Sequence, residues 1–209
     1  MGVDRYLTLA RDAEAEIEVK RSRFLCTLVR VEDEAAARAV VERLRKQHWD
    51  ARHHCSAFVL GPGSEVERSS DDGEPAGTAG APMLEVLRGQ GLSDVVAVVT
   101  RWFGGTLLGA GGLVRAYGDA VRAGLDVAGT LERVRVHEYL LQVSHADAGR
   151  VESDLRARDV EVLDAEYAAA VTLRLGVREP GSLAPLVAEL TGGGAEPVAA
   201  GSSWVDVRQ

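Results

Sequence analysis

At 209 residues the chain has room for one large domain or two small ones. Its 46% hydrophobic content suffices for a buried core, yet no apolar run approaches the roughly 20 residues of a membrane span, so no membrane partner is expected. A formal charge of −8 works against nucleic-acid attraction by the surface as a whole, although residues 1–60 carry 11 basic against 10 acidic side chains and leave room for a local basic patch.

In chain order, the polar opening "MGVDRYLTLARDAEAE" has no signal-peptide core, and Cys26 and Cys55 form no CxxC pair. Both features predict a cytoplasmic location with reduced thiols. "FLCTLVRV" (24–31) has the length and composition of a strand. "EAAARAVVERLRKQHW" (34–49) reads as a helix with Val40, Val41, Leu44 and His48 on one stripe, and Glu34/Arg38 and Glu42/Lys46 paired at i,i+4. "CSAFVL" (55–60) is a strand closed by the turn "GPGS". A helix ending near "GQG" leads into "DVVAVVTRWF" (94–103), whose unbroken β-branched centre predicts a strand buried on both faces. The segment 113–125 then places Leu113, Tyr117, Ala120, Val121, Gly124 and Leu125 on one helical face, with Arg115, Asp119, Arg122 and Asp126 opposite.

A break is expected around residues 126–134, separating domains at 1–130 and 131–209. Beyond it the periods read strand (134–143), helix (146–157), strand (160–166), strand (168–177), helix (182–191) and strand (196–207). Ser182 is the expected cap of the last helix, and "TGGG" its stop. This βαββαβ order within about 75 residues is that of a ferredoxin-like domain.

Two stretches invite chemistry. In "DDGEPAGT" (71–78), Asp71, Asp72 and Glu74 offer hard oxygen ligands for Mg²⁺ or Ca²⁺, but their spacing is not that of a calcium loop. The same residues also read as a tight turn eased by Gly73, with Thr78 capping the following helix and carboxylates near its positive end. "TRWFGGTLLGAGGLVRAY" (100–117) is a strand, a glycine-rich loop and a helix. Its glycines allow close approach of an anion and its helix start offers free N–H groups, yet it carries neither a P-loop nor a G-x-G-x-x-G spacing. Alternatively the glycines serve packing against Trp102 and Phe103, and Arg115 pairs with Asp119. In "RHHCSA" (52–57), strand alternation puts His53 and Cys55 on one face and His54 on the other, and a small buried thiol is favoured over a nucleophile.

"SRF" (22–24), "HHCSAFVLG" (53–61), "DDGEPAGTAGAPML" (71–84) and "VVTRWFGGTLLGAGGLVRAYGDAV" (98–121), four blocks in order, resemble the IMPACT/YigZ family in its bacterial two-domain form. The resemblance covers roughly residues 5–128 and extends to the C-terminal pattern. It implies an α+β protein: an N-terminal domain like domain 2 of ribosomal protein S5, then a ferredoxin-like domain like the last domain of elongation factor G. Eukaryotic members of the family restrain the starvation-responsive initiation-factor kinase by competing for its activator, so a role in translation or stress response is implied. Trp102 stands where the family commonly has tyrosine, Leu107 where many members have lysine, and His54 where many have asparagine.

The resulting expectation is a non-enzymatic regulator without a cofactor or bound metal, binding ribosome, RNA or a translation-related protein. The expected ligand surface is Asp71, Asp72, Glu74, Gly77 and Thr78 from the acidic loop, with Arg101, Trp102, Phe103, Gly104, Gly105, Gly109, Gly111, Gly112 and Arg115 from the glycine loop. The alternative is a phosphate- or nucleotide-binding enzyme using the glycine loop and a Mg²⁺ ion.

Overall fold

The computed structural model describes residues 3–207, which form a mixed α+β chain of two sheets and five α-helices. It divides into one unit running to Glu132 and another spanning Arg133–Val207.

The first unit contains β1 (Arg5–Leu9), β2 (Ala13–Val19), β3 (Ser22–Arg30), α1 (Glu34–Gln47), β4 (His53–Leu60), β5 (Val66–Ser70), α2 (Gly80–Gly89), β6 (Val95–Trp102) and α3 (Ala110–Ala128). Strands β2-β3-β6-β4-β5 make an antiparallel sheet with β6 at its centre. Successive side chains of a strand point to opposite faces, so a central strand covered on both sides must be apolar throughout. In β6, Val95, Ala97 and Val99 enter the core beneath α2 and α3, together with Leu87, Tyr117 and Val121. Val96 and Val98 join Ala37, Val40 and Leu44 of α1, with Phe58 and Leu60 of β4, on the other face. Thus β6 is buried on both faces, as its composition predicts.

The predicted stripe of α3 is buried from Leu113 to Leu125, and Arg115, Asp119, Arg122 and Asp126 are exposed. Asp33 caps α1 by accepting the Ala36 N–H at 2.7 Å. Glu34 pairs with Arg38 as expected, but Glu42 takes Arg45 at 2.9 Å instead of Lys46, since side chains three and four apart are both neighbours on a helix.

The second unit takes in all but the first three residues of β7 (Thr130–Val143), then α4 (His145–Arg156), β8 (Glu161–Tyr167), β9 (Val171–Val177), α5 (Leu183–Thr191) and β10 (Val198–Asp206). Its strands run β10-β7-β9-β8, each antiparallel to its neighbour. Leu141, Leu173 and Leu175 pack with Val151 and Leu155 of α4 and with Leu183 and Val187 of α5. Ser144 caps α4 by accepting the Asp147 N–H. Ser182 makes no side-chain cap; its hydroxyl donates to the Glu179 carbonyl at 2.8 Å within a short 3₁₀ turn that precedes α5.

Candidate functional site

The acidic loop between β5 and α2 is held by its own carboxylates. Asp71 accepts N–H bonds from Gly77, Ala79 and Gly80 at 2.8, 3.0 and 2.8 Å. It therefore caps α2, and Thr78, the expected cap, instead donates its hydroxyl to the Pro75 carbonyl at 2.7 Å. Burial by itself raises the Asp71 carboxyl, but the three N–H donors outweigh it and hold the group below its ordinary value. Asp72 turns toward α1, accepting from Arg45 and from the His54 N–H, both at 2.6 Å.

Glu74 faces the opposite way, into the α2/α3 side of the sheet. Register places Arg101 of β6 directly across from Phe24 on β3 and His53 on β4. From there Arg101, 6% exposed, donates to Glu74 at 2.5 Å and to the Ser22 hydroxyl at 3.4 Å. Tyr117 of α3 donates to the same Glu74 oxygen at 2.8 Å, and the single Cys55 S–H has two acceptors in reach, the Asp71 carbonyl at 3.0 Å and the Tyr117 hydroxyl at 3.3 Å. Burial foremost pushes the Tyr117 hydroxyl up, helped by Cys55 and Glu74, so it remains a donor. Burial likewise pushes the Cys55 thiol up to about 12, against the opposing Tyr117 contact. Such a thiol is a poor nucleophile at neutral pH.

The glycine loop follows β6. A Cβ on Gly104 would lie 2.0 Å from the Arg21 carbonyl, so only glycine lets this turn cross the β2–β3 connection, where its N–H donates to Ser22 at 3.2 Å. Gly109, at φ 73°, is the N-cap of α3 and has no side chain to occupy the first-turn donors. The first helical bond runs from the Leu113 N–H to the Gly109 carbonyl, leaving the N–H groups ahead of it without a helical partner.

These parts enclose a cleft of about 360 Å³ lined by Arg52, His53, Glu74, Arg101, Phe103 and Gly109, with Pro75, Leu107, Leu108 and Leu113 supplying apolar wall. Phe103 is 41% exposed and lies 5.7 Å from the Arg101 guanidinium and 5.8 Å from that of Arg52. Arg52 is exposed and makes no ion pair among the described residues, and Arg101 Nε has no hydrogen-bond partner among them. His53 Nδ1 lies 2.9 Å from the Asp72 carbonyl, a bond in which the ring N–H donates. An aromatic surface flanked by guanidinium groups at an open helix start is chemically suited to an anionic group carried on an apolar or aromatic body.

Of the residues expected at the site, Glu74, Arg101, Phe103 and Gly109 meet in this cleft. Asp71, Gly77 and Thr78 shape the acidic loop behind it, and Gly104 and Gly105 form the turn beside it. Trp102 points to the other face of the sheet, where its ring N–H donates to Asp50 at 3.0 Å and Arg23 covers it at 4.6 Å. Gly112 belongs to the first turn of α3, while Gly111 and Arg115 line a separate groove between α2 and α3. Arg115 makes no ion pair among the described residues, because Asp119 takes Arg122 at 2.7 Å. Arg52, Pro75 and Tyr117 are not singled out for a site by sequence. Tyr117 is visible there only as a member of an apolar stripe, which hides its hydroxyl.

Fold and cleft together define a two-unit α+β protein with an acidic loop and a glycine loop meeting over one sheet face. The chain belongs to the IMPACT family: the Impact N-terminal domain matches residues 20–125, and a domain of unknown function, DUF1949, matches residues 141–193. It is 42% identical over 195 residues to the IMPACT family member YvyE of Bacillus subtilis (strain 168), covering 90% of this chain and 88% of that one. It is 43% identical over 162 residues to the IMPACT family member YigZ of Escherichia coli (strain K12), covering 77% and 79%. A crystal structure of a hypothetical protein, 38% identical, superposes with a TM-score of 0.65 over 94% of this chain and 98% of its own. Among the described residues no helix is long and apolar enough to cross a membrane.

Proposed function

We propose that the protein is a non-enzymatic, cytoplasmic regulator associated with translation or stress response, and that it seats a nucleotide of single-stranded RNA in the cleft. The observation that carries this reading is the convergence of Phe103, Arg52, Arg101 and the open start of α3 around one cavity. Single-stranded RNA is recognised by stacking of splayed bases on aromatic rings, with cationic and N–H donors holding the phosphates. The ordering of β10-β7-β9-β8 with α4 and α5 supports a ferredoxin-like assignment for the second unit, and family membership supports the S5-like one for the first.

The enzymatic alternative needs carboxylates free to hold Mg²⁺. Here Asp71 is committed to three N–H groups, Asp72 to Arg45 and His54, and Glu74 to Arg101 and Tyr117, which favours a structural use of all three. The test is fluorescence anisotropy with a labelled single-stranded oligoribonucleotide, beside ribosome co-sedimentation. Phe103→Ala should cost about 1–3 kcal/mol of RNA affinity, the usual loss for one stacked base. If Phe103→Ala and Arg52→Ala bind as tightly as the parent, the reading is wrong.

A further inference from the structure

The opposite face of the same sheet carries a second basic cavity. Register places Ser56 opposite Ser70 and Phe58 opposite Arg68 across β4 and β5. Phe58 packs with α1, so this whole row looks toward that helix. Arg38, Val41 and Arg45, spaced along one stripe of α1, form the facing wall of a groove of about 470 Å³. Three guanidinium groups and the serine hydroxyls thus converge over an aromatic floor.

Charge makes the groove an exception. The chain carries −8 overall, yet among the groove's lining residues Glu42 is the one acid against three arginines, with Glu34 and Asp72 pairing Arg38 and Arg45 from outside the lining. Arg68 donates to the carbonyl of its neighbour Glu67 at 2.9 Å and pairs with no carboxylate among the described residues. Arg38 is held by Glu34 across a pair whose side chains are 71% and 39% exposed, and an exposed pair of that kind costs little to exchange for another anion. Arg45 is shared between Glu42 and Asp72, which leaves its guanidinium positioned at the groove wall. Planar guanidinium forks with hydroxyl donors match tetrahedral phosphate oxygens.

We infer that this groove between α1 and the β4–β5 hairpin is a phosphate-binding site, distinct from the cleft on the α2/α3 face. The phosphate could be supplied by an RNA backbone or by a discrete phosphate or nucleotide, and the experiment separates these. A labelled single-stranded oligoribonucleotide is titrated by anisotropy across a range of salt, and inorganic phosphate and a nucleoside monophosphate by calorimetry. Arg38→Ala/Arg68→Ala is the groove variant. Arg43→Ala/Lys46→Ala, removing two exposed charges of α1 that do not line the groove, is the charge control.

If the groove takes an RNA backbone, the groove variant lowers affinity about tenfold and flattens the salt slope by about 1.4, about 0.7 for each phosphate no longer neutralised, while the control stays near the parent. If it takes a discrete phosphate, calorimetric binding of phosphate or nucleotide is lost in the groove variant and retained in the control. Equal losses in the groove variant and the control, or no loss in the groove variant with any of the three probes, would overturn the inference. Because Phe103→Ala and Arg52→Ala touch the other face alone, both unchanged beside a weakened groove variant would remove the cleft reading and leave the groove standing.

Discussion

The two faces of the first unit's sheet use arginine in opposite ways. On the α2/α3 face, Arg101 is buried and fixed by Glu74 and Ser22, so its charge builds the wall of a cleft. On the α1 face, Arg38 and Arg68 are exposed and answered by a partly exposed carboxylate or by a backbone carbonyl. Burying an ion pair is costly unless the pair is well matched, whereas exposed pairs contribute little to stability. The buried Arg101 charge therefore specifies shape, whereas the exposed guanidinium groups, Arg52 beside the cleft and Arg38 and Arg68 across the sheet, lose little stability on turning to another anion.

The largest effect should come from breaking the buried pair. Glu74→Ala leaves the Arg101 guanidinium without its counter-charge and the Tyr117 hydroxyl without its acceptor, and should cost about 3–5 kcal/mol in denaturant unfolding. Glu74→Gln should recover part of this by keeping an acceptor for Tyr117. A loss below about 1 kcal/mol for Glu74→Ala, within the usual worth of an exposed ion pair, would mean that the two faces do not differ as described.

Asp71 comes next. Replacing it by alanine removes the carboxylate that caps α2, at about 1–2 kcal/mol. Its carboxyl is lower in the folded protein than in the unfolded chain, so its contribution is present at neutral pH and is lost as pH falls below about 4 toward the folded value. The acid unfolding curve of Asp71→Asn should accordingly be shallower than the parent's at its upper edge. Identical acid profiles would remove the loop's capping role.

How far the sequence reveals this arrangement varies with the kind of interaction. β6 and α3 are legible because each buries a periodic apolar set, and the acidic and glycine loops stand out by composition. β5, "VERSS", is not predicted because its half-exposed residues carry almost no apolar signal; β4 and its hydrogen bonds create it. β2 alternates acid with apolar residues, but glutamate and alanine are weak strand formers and the pattern alone does not mark it. The site is half legible. Strand alternation already implies that Arg101 and Trp102 face opposite ways, a consequence that grouping "TRWFGG" by composition overlooks. Arg52 cannot be found at all, since its place beside Phe103 depends on how β4 registers with β6.

A smaller effect should appear on the α1 face with pH. His54 is buried beside Thr100, and its Nε2 has no partner among the described residues. Burial foremost lowers its proton affinity, against the raising influence of Asp72 and the His48 backbone, while Arg45 and His48 add to the lowering. The folded protein thus resists protonation that the unfolded chain accepts. Stability from this group is full above the ordinary imidazole value of about 6.5 and declines as pH falls from there toward the folded value. His54→Asn should flatten the stability profile below about pH 6.5. A slope unchanged by that substitution would mean that another group titrates.

The smallest expected effect is the sharpest test of the contrast. Arg38→Ala/Arg68→Ala removes two guanidinium groups, yet both are exposed and neither closes a buried network, so unfolding free energy should stay within about 0.5 kcal/mol of the parent. The matching experiment on the other face cannot be neutral, because Arg101 lies under α3 with Phe24 and Phe103 against its guanidinium. A protein conserving stability would have no reason to gather Arg38, Arg45 and Arg68 over Ser56 and Ser70 inside an otherwise acidic chain. Stability indifferent to their loss, with phosphate or RNA binding sensitive to it, would assign that gathering to a ligand; a loss of about 2 kcal/mol or more would assign it to the fold, since exposed substitutions without a structural task do not reach that size.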